Sequence, residues 1–373
     1  MKRRQKRCFF IWSVVHILTM ALIVAALFML IKSRADNAPT QTLYMTGGSG
    51  SAIMNSTLDS SGKRQKDVLV APTDISPEDQ SFSVTEIEYL YDESGRVSSV
   101  KLTFGEDTKE IPLTYNASTD SSSGSLVKIE YDSNKKIKAV RIGIVYQFEF
   151  DGKGRMTTAL IGGVVKNEYK YNGEKAFEPE IIKITLLDGK ETYEAKQSND
   201  SLGFIFKVEV SEPGGNEQSI EKYSFDIDGR LTKYSVHLST ESYQMTDVFK
   251  YTENGKLSVY THAETNKDGS LESILEQKYD SNERVVEKSL KTTVEADGKS
   301  YVAESIVEKT KYTESGKTVT TTMNNYKKVD KGYKYDGKFV LTNKFDKDGN
   351  LIDQSWIEYD AKNNVKDKYP SGK

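Results

Sequence analysis

The chain has 373 residues, 36% of them hydrophobic and 29% charged, with a formal net charge of −3. So little apolar material suits a thin or one-sided sheet better than a thick-cored α/β body, and the length allows one or two domains. Residues 1 to 34 hold seven basic residues (Lys2, Arg3, Arg4, Lys6, Arg7, Lys32, Arg34) and no acid, so the rest carries 45 basic against 55 acidic residues, a balance of −10 that excludes nucleic acid as an expected partner.

The first element is a basic segment, residues 1–8, which holds the only cysteine, Cys8. One cysteine closes no intramolecular disulfide, so stability must come from strands and packing. Phe9 to Ile31 follows with 23 uncharged residues, interrupted only by Ser13, His16 and Thr19 among apolar ones. As a helix this run is about 35 Å long, enough to cross a hydrocarbon core of about 30 Å. Five basic residues precede it and two follow. That bias predicts a single-pass transmembrane anchor with a cytoplasmic N-terminus and an extracytoplasmic C-terminus. A cleaved signal peptide is the alternative, leaving a secreted protein. It fits less well, because Ala35 and Ala38 are wrongly spaced for a cleavage site and Lys32 and Arg34 interrupt the approach.

Residues 32–81 are rich in small polar residues, with Gly47-Gly48-Ser49-Gly50-Ser51 at the centre and Pro72 and Pro77 near the end. They read as a flexible extracytoplasmic tether. From 82 to 373 a strand-rich ectodomain is expected. In Phe204 to Val210, period-2 alternation predicts Phe204, Phe206, Val208 and Val210 on one face; in Lys233 to Leu238 it turns Tyr234, Val236 and Leu238 inward. One wet face and one dry face predict antiparallel pairing.

Between strands recurs a phrase: an aromatic, a small polar residue, turn residues, then an apolar one. Copies begin at Tyr91-Asp92, Tyr131-Asp132, Phe150-Asp151, Tyr171-Asn172, Phe225-Asp226, Tyr251-Thr252, Tyr279-Asp280, Tyr312-Thr313, Tyr335-Asp336, Phe345-Asp346 and Tyr359-Asp360. The chemistry is that of a hairpin. Asp bonds its own backbone two residues on, and glycine takes the positive φ that a tight turn needs. The turn residues singled out are Tyr91, Asp92, Gly95, Phe150, Asp151, Gly154, Phe225, Asp226, Gly229, Phe345, Asp346 and Gly349.

Phe225-Asp226-Ile227-Asp228-Gly229-Arg230-Leu231-Thr232, Tyr91 to Val97 and Phe150 to Thr157 resemble the Tyr-Asp-x-x-Gly-Arg-Leu repeats of the Rhs family. The likeness extends over roughly residues 86 to 366. Tyr251 to Leu257 is also similar to the shorter repeats of bacterial MORN-like proteins. The Rhs resemblance implies a secreted or surface bacterial protein built from serial β-hairpins, sometimes wound into a shell around a toxic C-terminal segment. No Asp-Pro-x-Gly-Leu phrase occurs here, so the sequence offers no support for such a cargo.

Motifs for chemistry are scarce. His237 and His262 are the only histidines beyond residue 31 and sit 25 residues apart, so no metal site and no cofactor are expected. No Gly-x-Ser-x-Gly elbow or His-Glu-x-x-His helix occurs, and no catalytic residue stands out. Asp226 to Gly229 resembles the start of a calcium loop, but its glycine comes at position 4 and not 6. The expectation is therefore an all-β protein of antiparallel hairpin repeats forming an extended, curled or solenoid-like sheet behind one transmembrane helix. Its expected role is binding or structural, toward a surface protein or a glycan. The alternative is a carboxylate-dependent enzyme acting on cell-envelope polysaccharide, which would need two inward acids in a groove.

Overall fold

A computed structural model of the protein describes residues 41–47, 50–70, 84–104, 107–173, 177–186, 191–212, 217–226, 228–239, 243–266, 270–296, 299–330 and 332–370. The basic segment and the expected anchor, Phe9 to Ile31, lie outside the described residues. Among the described residues no helix is long and apolar enough to cross a membrane. Every regular element described is a β-strand, and every pairing is antiparallel, as the alternation predicts.

The described strands start with β1 (Gln41–Gly47), β2 (Gly50–Leu58) and β3 (Arg64–Val70), which replace the tether expected over 32–81 within residues 41–70. Within these strands Leu43, Tyr44, Met45, Ile53 and Met54 are all at 2% exposure or less. Composition misled here because the Gln41 amide and the backbone groups of Thr42, Tyr44 and Thr46 are satisfied by side chains more than a hundred residues away, which a local window does not see. β4 (Val84–Tyr91), β5 (Val97–Phe104) and β6 (Asp107–Pro112) complete a six-stranded sheet in chain order. The Leu113 N–H then donates to Ser98 O at 2.8 Å, so the ladder along β5 runs on past Pro112 toward the second sheet.

That second sheet starts with β7 (Thr114–Asn116), β8 (Ser121–Ser123), β9 (Val127–Tyr131), β10 (Ile137–Ile142), β11 (Tyr146–Phe150), β12 (Met156–Ile161) and β13 (Val165–Lys170). It continues with β14 (Ile181–Leu186), β15 (Thr192–Asn199), β16 (Ile205–Ser211), β17 (Glu217–Phe225), β18 (Leu231–Leu238) and β19 (Tyr243–Tyr251). Longer strands follow: β20 (Leu257–Asn266), β21 (Leu271–Tyr279), β22 (Val285–Ala296), β23 (Lys299–Thr313), β24 (Gly316–Val329), β25 (Gly332–Asp346), β26 (Leu351–Asp360) and β27 (Val365–Tyr369). From β7 to β27 each strand bonds to the next in sequence, without a crossover. Consecutive hairpins are the simplest topology the repeated turn phrase can produce.

β1 lies across β12 to β16, and the face it covers is called the inner face. All buried hydrophobic residues among those described fall between Leu43 and Val236. Alternation accounts for this: in β9, Val127, Ile129 and Tyr131 are buried while Lys128 is exposed. Beyond β18 most strand residues are half-buried or exposed, as in β20 and β27, and no hydrophobic side chain among those described is buried there, so that part is a single layer. β16 departs from strict alternation. Ser198 pairs with Lys207 but Asn199 pairs with Ile205, leaving Phe206 as the extra residue of a bulge. Ile205 and Val208 are therefore the buried pair, and Phe206, expected inside, is 48% exposed.

Candidate functional site: repeat turns and the inner face

The turn phrase has one geometry in the copies at Asp92, Asp132, Asp151, Asp226, Thr252, Asp280, Asp346 and Asp360. The Asp92 N–H donates to Arg96 O at 2.8 Å, and Gly95 N–H donates to Asp92 O at 3.0 Å. The carboxylate completes the turn: Asp151 Oδ1 accepts Lys153 N–H at 2.9 Å and Arg155 N–H at 3.0 Å, while Oδ2 accepts Arg155 Nε–H at 2.7 Å. Asp226 repeats this with Asp228 and Arg230, and Asp346 with Asp348 and Asn350. Such donors stabilise the ionised form, so Ser94 beside Asp92 and Asn350 beside Asp346 hold those carboxyls below their usual range. Gly95, Gly154, Gly229 and Gly349 sit at φ of +80°, +80°, +78° and +86°.

Three of the turns are also stitched to the next aromatic by an arginine. Arg155 lies 4.6 Å from the Tyr171 ring centroid and the Tyr171 hydroxyl donates to Met156 O at 2.7 Å. Arg230 with Tyr251 and Leu231 O repeats it at 4.9 and 2.8 Å, and Arg284 with Tyr312 and Val285 O at 4.2 and 3.3 Å. The phrase-opening aromatics Tyr91, Phe150, Phe225 and Phe345 are placed the same way: Tyr91 donates to Arg64 O, Phe150 lies under the Arg64 guanidinium, Phe225 stacks on Phe204, and Phe345 lies under the Lys317 ammonium. Just past four of the turns a Ser or Thr is the bulged residue. Ser98, Thr157, Thr232 and Ser258 donate their hydroxyls to Leu90 O, Glu149 O, Ser224 O and Lys250 O at 3.2, 3.2, 3.0 and 2.9 Å.

Two turns of this kind were invisible to the aromatic signature. Asp59 accepts from Ser61 and Lys63 N–H, and Asp200 from Leu202 and Phe204 N–H, but Leu58 and Asn199 stand where the aromatic is expected. The Asp-x-x-Gly core was the usable signal. Conversely, Tyr335-Asp336-Gly337 is no turn. It lies inside β25, where Tyr326 pairs with Tyr335 and Asn325 with Gly337 across a bulge, so the ladder continues and the chain does not reverse.

Gly349 isolates the cost of the turn conformation, since a Cβ there meets nothing within 4 Å. Gly349→Ala is expected to lower stability by about 1–2 kcal/mol through backbone strain alone, and Gly349→Asn by less. Equal urea midpoints for the wild type and the alanine variant would count against that geometry.

The inner face grips β1 with side chains where a neighbouring strand would normally supply a ladder. Asn167 accepts Thr46 N–H at 2.9 Å and donates to Thr46 O at 2.9 Å; Gln197 accepts Tyr44 N–H at 3.1 Å and donates to Thr42 O at 2.8 Å. The Tyr169 hydroxyl donates to Tyr44 O at 3.1 Å. Gln41, 2% exposed, donates to Tyr171 Oη and Phe177 O, each at 3.1 Å. A backbone edge buried without such partners is costly, and two amides each offering one donor and one acceptor satisfy it.

Two buried acids face inward. Glu221, 3% exposed, accepts from the hydroxyls of Tyr44 at 2.9 Å, Ser51 at 3.0 Å, Tyr234 at 3.2 Å and Tyr223. Burial and the Glu221 charge push the Tyr44 and Tyr223 hydroxyls well above their usual range, so they remain donors. Asp247 is fully buried; its Oδ1 accepts from Tyr260 Oη at 2.7 Å and meets His262 Nδ1 at 2.8 Å. Both oxygens of Glu221 are thus taken by tyrosine and serine hydroxyls beneath β1, whereas Asp247 has Oδ1 held by Tyr260 and His262 and Oδ2 buried without a hydrogen-bond partner. Among the described residues no group of three or more His, Cys, Asp or Glu is placed to hold a metal ion. His237, on the opposite face from Glu221, lines a recess of about 300 Å³ with Ile220, Lys222, Ser235, Gln244 and Asn266.

The Asp247 bond raises the His262 pKa above its usual value, against the opposing effect of burial. A raised folded pKa means that the native state binds more protons than the unfolded one in the intervening range. The stability it adds is fully present below about pH 6.5 and is lost as pH rises through the folded value. The urea midpoint should fall over that window in the wild type and flatten in His262→Gln; identical profiles would remove the pair from the account.

The repeated turn, the Arg-on-aromatic stitch and the unbroken hairpin order find a counterpart among known families: residues 61–363 match the teneurin YD-shell family. The chain belongs to that family. The match covers most of the chain and makes it a YD-repeat protein of the Rhs type, as the phrase Tyr-Asp-x-x-Gly-Arg-Leu implied. It begins at residue 61, ahead of the expected ectodomain start at 82, in keeping with the turn at Asp59 and strand β3. No curated protein matches the sequence significantly.

Proposed function

We propose that this YD-repeat protein is a membrane-anchored, extracytoplasmic module with a binding or structural role at the cell surface, its partner a surface protein or a glycan. The observation that carries the reading is the grip on β1. Asn167, Gln197, Tyr169 and Glu221 hold an extended segment by side-chain hydrogen bonds, which is how a recognition surface holds a chain that is not part of its own ladder. Seven basic residues around an uncharged run from Phe9 to Ile31 supply the anchor and its orientation.

Protease added to intact cells carrying the C-terminally tagged chain tests the placement. The tag is expected to disappear while an N-terminal fragment stays with the membrane. A tag protected until the cells are lysed overturns it. Surface binding to partner cells is expected to follow the β-repeat body, and binding that survives its deletion removes the recognition role.

A further inference from the structure

One rim of the second sheet carries the repeat turns; the opposite rim, over β9 to β13, carries an aliphatic cluster. Ile144 is 94% exposed, Val164 48%, Val145 41% and Leu126 40%. They are neighbours: Gly143 N–H donates to Leu126 O at 2.9 Å, and the Cβ position of Gly163 lies 3.7 Å from Ile144 O. Tight turns containing Gly143, at φ +57°, and Gly162 and Gly163, at +65° and +68°, push these side chains out beyond the strand ends. Exposed aliphatic residues scattered singly need no explanation, but four gathered on adjacent hairpin tips do.

The charges around the tips are ordered. The charged residues nearest to them on the flanking strands are Lys128, Arg141 and Lys166, and the first acids, Glu130, Glu149 and Glu168, come further from the rim. Lys128 pairs back to Glu130 at 2.9 Å, Lys166 to Glu168 at 2.7 Å and Arg141 to Glu130 at 3.9 Å, so in each pair the cationic residue is the one nearer the tips. Protein-binding surfaces centre on Trp, Tyr and Arg anchors; aliphatic tips with a cationic collar match the acyl boundary and anionic headgroups of a bilayer.

Chain length permits the contact. β1 enters at the turn rim, where Gln41 bonds Tyr171 and Phe177, and the sheet from that rim to the aliphatic one is a six-residue strand such as Ile137–Ile142, roughly 20 Å. Nine residues separate Ile31 from Gln41, a maximum reach of about 30 Å. We infer that the Leu126–Ile144–Val145–Val164 rim is a second membrane contact, inserting its aliphatic tips into an anionic lipid surface beside the anchor. This rests on the proposed anchoring.

The test uses the full chain, with Cys8→Ser and Ile144→Cys, labelled at position 144 with an environment-sensitive fluorophore and reconstituted in phosphatidylcholine nanodiscs with or without phosphatidylglycerol. The expected result is a shift to shorter wavelength, and quenching by spin-labelled acyl chains, in the phosphatidylglycerol discs. A label on the turn rim, at Asn350→Cys, is expected to stay at its water emission. Adding Val164→Asp and Leu126→Asp to the Ile144→Cys chain is expected to abolish the shift. A water-like label at 144 in incorporated protein sinks this inference alone, equal signals in the two disc types sink the anionic assignment, and failure to incorporate sinks the anchor and the inference together.

Discussion

Tyr44→Ala is expected to destabilise the protein by about 3–5 kcal/mol, the usual range for emptying a large aromatic site in a packed interior. Tyr44 is 2% exposed and lies between β1 and the inner face, so its removal opens a cavity in the interface that holds β1 in place. It also withdraws one donor from Glu221, which keeps Ser51, Tyr223 and Tyr234. Tyr44→Phe separates the two effects. It retains the ring and is expected to cost about 1 kcal/mol, the net value of one hydrogen bond whose acceptor stays satisfied. Urea unfolding of the three proteins reads the series. Hydrogen exchange should locate the loss in β1, β2 and β12 to β18, with β22 to β26 unchanged, because the single-layer strands share no packing with Tyr44. An alanine variant as stable as the wild type would mean that β1 is not inserted where it is described.

The second large effect is expected at Arg64 and Asp67, an ion pair whose side chains are 2% and 0% exposed. Burying two charges is costly, and here the geometry offsets the cost. The guanidinium also donates to Ser56 Oγ at 2.7 Å and Gly154 O at 3.1 Å and lies 4.1 Å from the Phe150 ring centroid, while Asp67 accepts from Tyr89 Oη at 2.8 Å. Asp67→Ala leaves the cation buried without its counter-ion and is expected to cost about 3–5 kcal/mol. Replacing both, with Arg64→Met and Asp67→Leu, should recover most of that loss, since no unpaired charge remains. The double variant stays below the wild type because Tyr89, Ser56 and Gly154 O lose partners. A double-mutant cycle checks this, and additive single effects would show that the two side chains do not interact.

The turn chemistry was legible in the sequence because it is local. An Asp that bonds the amides two and four residues ahead, a Gly at positive φ and an Arg that reaches back to the Asp all lie within one phrase, so Asp151 to Arg155 carries its own conformation wherever it is placed. Alternation was legible for the same reason in β18, where Tyr234 and Val236 are buried. It failed in β16, because the bulge that turns Phe206 outward is a mismatch with a partner strand and not a property of the segment. The Tyr335-Asp336-Gly337 copy failed likewise: its residues suit a turn, but β24 is long enough to pair straight past it.

What the amino-acid order determined alone is an all-β chain of successive hairpins with a conserved-geometry turn, since each of those instructions acts over fewer than about ten residues. Where the interior lies was decided by tertiary structure. Gln41 to Gly47 is polar enough to read as tether, and it becomes the most buried strand because Asn167, Gln197 and Glu221, distant in sequence, converge on it from three different strands. Burial depends on which surfaces meet, and that meeting is set by how far the sheet curls round, a sum over many strands that no single phrase contains.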